Sequence, residues 1–587
     1  MSKQAPQGAK HMTLGGRSPD IAERIPAGQP AALSAATLCE AFQVTAAERP
    51  DAVALRTPGD GAAVTWAEYA QRAERVAGGL AALGVERGDT VALMLTNRPE
   101  FNVADTGAML LGATAFSVYN TSTPEQIEFL FGNAGNRVVI TERAFLPVVR
   151  AAQERSPGLE HIVLVDGAED GTVALDRLED MGASSFDFDA TWRAVEPDDV
   201  LTLIYTSGTT GPPKGVQLTH RNLMAEIRAV ADRLPTEPRG RITSFLPSAH
   251  IADRWSAHYQ SSMVFGFTLT SIADPRAVIQ HLPEVRPTAW GSVPRIWEKL
   301  KAALEAQGIT DPAALPDEAR AAIREKLGLD QCAWLVVGAA PTPREVLEYF
   351  AALGLPICEL WGMSETSSCA TINPPDRIKI GTCGPALQGV ELKLADDGEL
   401  LVRGEVVMTR YRNDPEKTAE AFDDEGWLRT GDVAEIDDDG YVKIVDRKKE
   451  LIINAAGKNM SPVNIESRLK TCHPLIGTAV AIGDRRPYNV ALIVLDPDAC
   501  GAFAAQQGIE DGSPAALARD ERVQAAIGTA IEEANSHLSR VEQVKKWCLL
   551  ETEWQPGGEE LTPTMKLKRR PIEQKYAQQI EELYSGS

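Results

Sequence analysis

Three glycines, a dense set of hydroxyls and one lysine fall within the stretch Thr206-Ser207-Gly208-Thr209-Thr210-Gly211-Pro212-Pro213-Lys214-Gly215. Backbone N–H groups left open by glycine, together with Ser and Thr oxygens, can wrap phosphate oxygens while a lysine supplies counter-charge. The chemistry this stretch suits is polyphosphate binding. The plainer alternative is a Gly-Pro turn rich in threonine. It is not the P-loop G-x-x-x-x-G-K-[ST], because Lys214 stands between Pro213 and Gly215. The preceding Val200-Leu201-Thr202-Leu203-Ile204-Tyr205 is short, apolar and rich in β-formers, which predicts a buried strand delivering the loop to a site.

The elements that must hold this loop are legible upstream. Thr65-Trp66-Ala67-Glu68 is a capping box, and Tyr69, Ala73, Val76, Ala77, Leu80 and Leu83 recur at helical spacing until Gly84. Strands are expected at Thr90 to Leu95, Ala113 to Tyr119, Arg137 to Thr141 and His161 to Val165, with helices from Pro99 to Leu111 and Pro124 to Phe131. Such alternation implies an α/β fold with a parallel sheet covered by helices. An acidic connector then runs to Asp199. Downstream, Ser244 to His250 reads as a β-like run ending in a histidine, and Trp334 to Val337 as a buried strand ending in the small residues Gly338 and Ala339. Small side chains at a strand end permit close approach of a flat ligand, or simply a tight turn.

Composition narrows the function classes. The chain has 587 residues, 44% hydrophobic and 24% charged, long enough for several domains. Its 59 basic and 82 acidic residues give a net charge of -23, which argues against nucleic acid or anionic membrane as the main partner. The eight cysteines (Cys39, Cys332, Cys358, Cys369, Cys383, Cys472, Cys500, Cys548) form no C-x-x-C pair, and read as reduced packing residues of a cytoplasmic protein. The first thirty residues are polar and rich in Gly, Pro and Ser without an apolar core, a loose leader rather than a signal peptide. The most apolar window, Val103 to Tyr119, contains Asp105, Thr106 and two glycines and falls short of a membrane span.

The loop, continued by Val216-Gln217-Leu218-Thr219-His220-Arg221-Asn222, closely resembles the signature loop of the adenylate-forming superfamily of acyl-CoA synthetases, luciferases and peptide-synthetase adenylation domains. Further stretches extend the resemblance over residues 35 to 585 in the family's order. Glu359-Leu360-Trp361-Gly362-Met363-Ser364-Glu365 is similar to [YF]-G-x-[ST]-E, with Trp361 where tyrosine is usual; Gly426 to Asp432 to the stretch whose aspartate takes the ribose hydroxyls; and Asp446-Arg447-Lys448-Lys449 to the D-R-x-K interdomain linker. Leu561 to Arg570 is similar to T-x-[SG]-G-K-[IVL]-x-R-R, placing its lysine at Lys566 and Met565 at the usual glycine. Gly291-Ser292-Val293-Pro294-Arg295-Ile296-Trp297-Glu298-Lys299 and the segment from Glu450 to Glu466 are nearest to long-chain fatty acyl-CoA synthetases.

The resemblance implies a loose leader (1–34), a large N-terminal domain of layered sheets (35–446) binding ATP and the acyl group, and a small mobile α+β C-terminal domain (447–587). It implies nucleotide contacts from Thr206 to Gly211, Lys214, Gly338, Ala339, Glu359, Trp361 to Ser364, Asp432, Arg447 and Lys566. Mg²⁺ would sit on Glu365, the acyl pocket near His250 and Gly291, a hinge at Lys449 and a CoA channel at Gly457. A charged insertion from Lys301 to Leu329 is expected as a helical hairpin on the outside, and Pro571 is expected to start a last helix with Ile572, Tyr576, Ile580 and Leu583 on one face.

The implied chemistry has two halves: a fatty carboxylate attacks the α-phosphorus of ATP to give acyl-AMP and pyrophosphate, then the CoA thiol displaces AMP. A carboxylate with a pKa near ~4.5 is ionised at neutral pH, so the first half needs charge cancellation rather than a base. Two rivals remain open, a ligase passing its acyl group to a carrier protein or acting on another hydrophobic acid, and a non-catalytic nucleotide-binding regulator. Peripheral membrane contact and oligomerisation are compatible with the sequence.

Overall fold

The computed structural model describes residues 11–12, 28–206, 212–455, 458–562 and 565–585. Its organising layer is an eight-stranded sheet, in spatial order Arg410–Tyr411, Lys214–Thr219, Val200–Thr206, Thr114–Ser117, Thr90–Met94, Val138–Thr141, His161–Leu164 and Val173–Ala174. From Val200–Thr206 outward the strands run parallel. Lys214–Thr219 returns antiparallel beside Val200–Thr206, so the two strands form a hairpin. The central strands are buried on both faces, as their unbroken apolar runs require.

The expected helices are present: Trp66–Ala82 behind its capping box, Pro99–Leu110, and Pro124–Ala134 with a second capping box at Thr123. Two further sheets stand beside the large one, Arg241–Ser244 with Thr268–Ser271, Val53–Arg56 and Ala63–Thr65, and Ala289–Ser292 with Trp334–Val337, Ile357–Trp361 and Thr371–Ile372. An antiparallel sheet contains Glu391–Leu394, Glu399–Arg403, Leu428–Ile436 and Val442–Arg447. Beyond it, Ile476–Ile482, Asn489–Leu495 and Val544–Leu550 make a separate three-stranded sheet. Among the described residues the apolar clusters also separate here: one takes in Val442 and Ile444, another begins at Ile452.

Several expectations are corrected. The acidic connector contains the short helices Leu175–Glu179 and Phe188–Arg193. The leader does not stay loose to residue 34, since Ala31–Ser34 is a helical turn with Ala32 and Leu33 buried. The strand before His250 stops at Ser244, and His250 instead caps the turn Ile251–Asp253, which leads into the π-helix Arg254–Val264. The expected external hairpin from Lys301 to Leu329 takes in the end of the helix Pro294–Ala306 and the helix Asp317–Leu327, which has no buried residue. Pro294–Ala306 is anchored in the core through Trp297, Leu300 and Leu304. The last helix starts at Arg569 rather than Pro571 and breaks at Tyr576 before Ala577–Ser585; Ile572, Tyr576 and Ile580 are nonetheless buried together.

Candidate active site

The hairpin brings Thr206 and Lys214 opposite each other at its tip. Ser207, Gly208, Thr209, Thr210 and Gly211 lie outside the described residues, as does Gly457. Lys214 Nζ donates to the Tyr411 hydroxyl at 2.9 Å and lies 4.2 Å from the centre of its ring. Tyr411 in turn donates to Glu365 Oε1 at 2.8 Å. Tyr411 is delivered by the edge strand, which pairs with the Lys214 strand at Val216. Burial lowers the Lys214 pKa, opposed by the Glu365 charge, and burial together with Glu365 raises that of Tyr411. The result is a Lys–Tyr–Glu chain whose carboxylate is 4% exposed. Tyr411 was not foreseen; no spacing in the sequence links it to Lys214, because their proximity comes from strand pairing across the fold.

On the nucleoside side, Asp432 and Arg447 are opposite partners on adjacent strands. Arg447 Nε lies 2.8 Å from Asp432 Oδ1, and the Trp361 indole N–H donates to Asp432 Oδ2 at 2.9 Å. The indole that replaces the expected tyrosine thus holds the aspartate. Burial raises the Asp432 pKa, while Arg447, Trp361 and Lys566 pull it down. Glu359 accepts from the Gly381 N–H at 2.9 Å, and its burial pushes the carboxyl up to about 7. Ser364 is buried, and Met363 N–H donates to Thr366 Oγ1 at 3.0 Å.

A Cβ on Gly338 would come within 2.5 Å of Leu360, one on Gly362 within 2.1 Å of the Ser368 carbonyl, and one on Gly291 within 2.5 Å of Val336. These glycines are fixed by protein packing against protein, whatever space they also leave for a ligand. Ala339 adopts the left-handed region at φ 69°.

The C-terminal part also reaches this cleft. The Lys566 ammonium is lowered in pKa by loss of solvation and by Arg447, and supported by Asp432, Glu365 and Glu450. The residue itself remains open to solvent. Met565 precedes it at φ 64°, so a left-handed position usually given to glycine is held by methionine. Across the cleft the half-buried His250 accepts from the Ala252 N–H through Nδ1 at 3.1 Å, which leaves its proton on Nε2. Burial and the Lys566 charge hold its pKa down to about 4, so it is neutral.

Lys449 lies in the exposed turn after Val442–Arg447, and its charge acts on Lys214. That turn is held from behind by Arg569, which reaches Glu450 at 3.0 Å and grips both oxygens of the buried Glu466 at 2.6 and 2.9 Å. Neither carboxylate was singled out in the sequence.

A buried carboxylate that among the described residues meets one hydroxyl donor suits a cation shared with phosphate oxygens. Among the described residues no cluster of three or more His, Cys, Asp or Glu side chains could hold a metal alone. Mg²⁺ normally takes one or two carboxylates, with waters and phosphates completing its octahedron, so Glu365 fits it.

The profile of the AMP-binding enzyme family matches residues 42–412, and that of the AMP-binding enzyme C-terminal domain matches residues 449–587. The Mycobacterium tuberculosis protein fadD11, provisionally named a fatty-acid–CoA ligase, is 50% identical over 453 residues, covering 71% of this chain and 79% of its own length. Long-chain-fatty-acid–CoA ligase FadD15 of the same organism is 35% identical over 561 residues, 89% of this chain and 92% of its own. Among solved structures, the Mycobacterium tuberculosis fatty acyl CoA synthetase superposes with a TM-score of 0.63 at 25% identity over 93% of this chain and 99% of that one. The adenylation domain of a Mycobacterium chelonae carboxylate reductase reaches 0.75 at 22% identity, over 96% and 95% of the two chains, a likeness of fold. With both halves of the chain matched and the cleft built between them, this protein belongs to the AMP-binding enzyme family.

Proposed function

We propose that the protein activates a long-chain fatty acid with ATP to acyl-AMP and transfers the acyl group to CoA, releasing pyrophosphate and then AMP. The observation that carries this reading is the convergence of Lys214, Glu365, Asp432, Arg447 and the Lys566 ammonium on one cleft formed by both parts of the chain. A nucleotide-binding regulator would have no need to place a lysine of the C-terminal part there. The fatty-acid reading draws on the relatives' names and on the segments from Gly291 to Lys299 and from Glu450 to Glu466.

In the first half the carboxylate nucleophile and the triphosphate are both anionic, so the protein's task is to position them and cancel charge. Lys214, held by Tyr411, meets the phosphates at the hairpin tip. Asp432 takes the ribose hydroxyls through lone pairs left free by Trp361 and Arg447. Lys566 meets the developing charge at the α-phosphate. Mg²⁺, when bound at Glu365, supplies charge neutralisation across the phosphate oxygens. Neutral His250 bounds the acyl side without adding a charge. In the second half the CoA thiol, with a pKa of about 8.5, is partly thiolate at neutral pH and needs no dedicated base. The division of labour follows a leader, a domain ending near residue 446 and a mobile domain from 447. No described helix is long and apolar enough to cross a membrane, and we place the protein in the cytoplasm.

The test is an assay with ATP, Mg²⁺ and acids from acetate to very long chains, with and without CoA. Each buried CH₂ contributes roughly 0.8 kcal/mol, so activity should climb with chain length before levelling. Flat or falling activity removes the long-chain assignment. Acyl-AMP that accumulates and ignores CoA points instead to a carrier-protein acceptor.

A further inference from the structure

The segment from Gly291 to Lys299, which resembles long-chain fatty acyl-CoA synthetases, has a second face. In the helix Pro294–Ala306, Trp297 and Leu300 are buried in the core. Arg295 and Lys299, one turn apart, are instead turned towards the C-terminal part. Arg295 pairs with Asp496, and Lys299 Nζ reaches Asp498 Oδ2 at 2.7 Å. Asp496 is the N-cap of the helix Pro497–Gln507, accepting from the Ala499 N–H at 3.0 Å, and its side chain is 10% exposed. A third pair has the opposite polarity: Arg468, on the helix Pro462–Cys472, donates to Glu345 of the helix Arg344–Ala352 at 2.7 Å.

We propose that these three pairs form an electrostatic latch, with Arg295, Lys299 and Glu345 as positioning residues that hold the C-terminal part where Lys566 faces the cleft. The proposal rests on the two-step reading above, since it gives the latch its purpose: closed for acyl-AMP formation, open for thioester formation. Mixed polarity makes the latch specific to one orientation, because a domain docked in another register would set like charges together. Partly exposed ion pairs shift an equilibrium only a few-fold each. Three of them bias the closed orientation yet break on every turnover, and they weaken as ionic strength rises.

The experiment uses the full chain with Lys299→Asp, Asp498→Lys and the double exchange of the two. None of these residues touches the nucleotide or acyl cleft. Two readouts are taken: each half-reaction measured separately, and amide hydrogen exchange in the first turn of Pro497–Gln507 and the turn after Arg447. Either single reversal should slow acyl-AMP formation about five-fold, leave thioester formation from supplied acyl-AMP unchanged or faster, and speed exchange at both turns. The double exchange should restore all of these, and high salt should reproduce the effect of the single reversals in the wild type. A double exchange that behaves no better than the singles, or singles that slow both halves equally, overturns the latch. The exchange readout separates this proposal from the functional one. Exchange that follows the charge pattern in a protein making no acyl-AMP upholds the latch and sinks the ligase reading. Exchange indifferent to the charges in an active ligase does the reverse.

Discussion

At the residue scale, two side chains concentrate the chemistry in testable form. Glu365 is a buried carboxylate on the phosphate side of the cleft, and among the described residues its side-chain partner is the Tyr411 hydroxyl. Glu365→Ala should therefore lose acyl-AMP formation by orders of magnitude and remove the Mg²⁺ dependence of ATP binding, while the protein stays folded. Near-normal turnover in that variant would show that the ion is held elsewhere. Met565 tests the loop that presents Lys566. Its φ of 64° costs an L-residue about 1–2 kcal/mol, and a β-branched side chain resists that conformation most. Met565→Gly should keep the rate of acyl-AMP formation, and Met565→Val should lower it about tenfold without changing ATP affinity at the N-terminal part. Equal rates for Gly and Val would mean that the backbone conformation there does not set the position of Lys566. Residues such as Lys214, Glu365, Asp432 and Arg447 were legible because motif likeness carries identity from position to position. Tyr411 and Glu466 were not, because each acquires its role only from a neighbour brought close by tertiary structure.

At the element scale, legibility followed length and periodicity. The helix Trp66–Ala82 declared both its start and its buried face, whereas Leu175–Glu179 and Phe188–Arg193 are too short to show a period. The π-helix Arg254–Val264 could not be read at all, since its register departs from the 3.6-residue repeat on which such readings rest. One contact between elements makes a pH prediction. His220 begins the helix His220–Arg233 and accepts the Leu38 N–H through Nδ1 at 3.2 Å, so two helices meet over a neutral imidazole that is 2% exposed. Burial holds its pKa down to about 4 against an ordinary 6.5. The folded state thus refuses a proton that the unfolded chain accepts. The penalty is absent above pH 6.5, grows as pH falls towards 4, and is constant below that, on the order of 3 kcal/mol. His220→Asn keeps an acceptor for Leu38 but cannot titrate. Between pH 7 and 4.5 the wild type should lose more stability than this variant, read from denaturation midpoints, and parallel losses would show that His220 does not carry the shift. Asp253, pushed up to about 7 by burial, acts oppositely and stabilises the fold as pH falls, which is why the difference between proteins, not the bare curve, is the measurement.

At the scale of the whole molecule, the chain presents two problems that one arrangement cannot solve. In the proposed reaction Lys566 serves where the fatty carboxylate meets the α-phosphate, and the same position would have to be vacated for a thiol to approach the acyl carbonyl. The arrangement seen here suits the first of the two proposed steps, because the Lys566 charge acts on Asp432, Glu365 and His250. The turn after Arg447 is held on both sides of an exposed residue: Lys448 N–H bonds the Gly431 carbonyl at 2.8 Å and Glu450 is gripped by Arg569, while Lys449 lies between them. Rotation about that point would carry the small domain without disturbing the sheet that fixes Asp432 and Arg447. Lys566→Ala should accordingly lose orders of magnitude in acyl-AMP formation yet convert supplied acyl-AMP and CoA to thioester. Lys449→Pro fixes φ near -65° and biases the preceding residue towards extended backbone, so it should make acyl-AMP and then stall. Each half-reaction assayed separately in both variants decides the matter. Losses in opposite halves tie the lysine to the first arrangement and the turn to its release; losses in the same half would mean that the two chemistries share one fixed geometry.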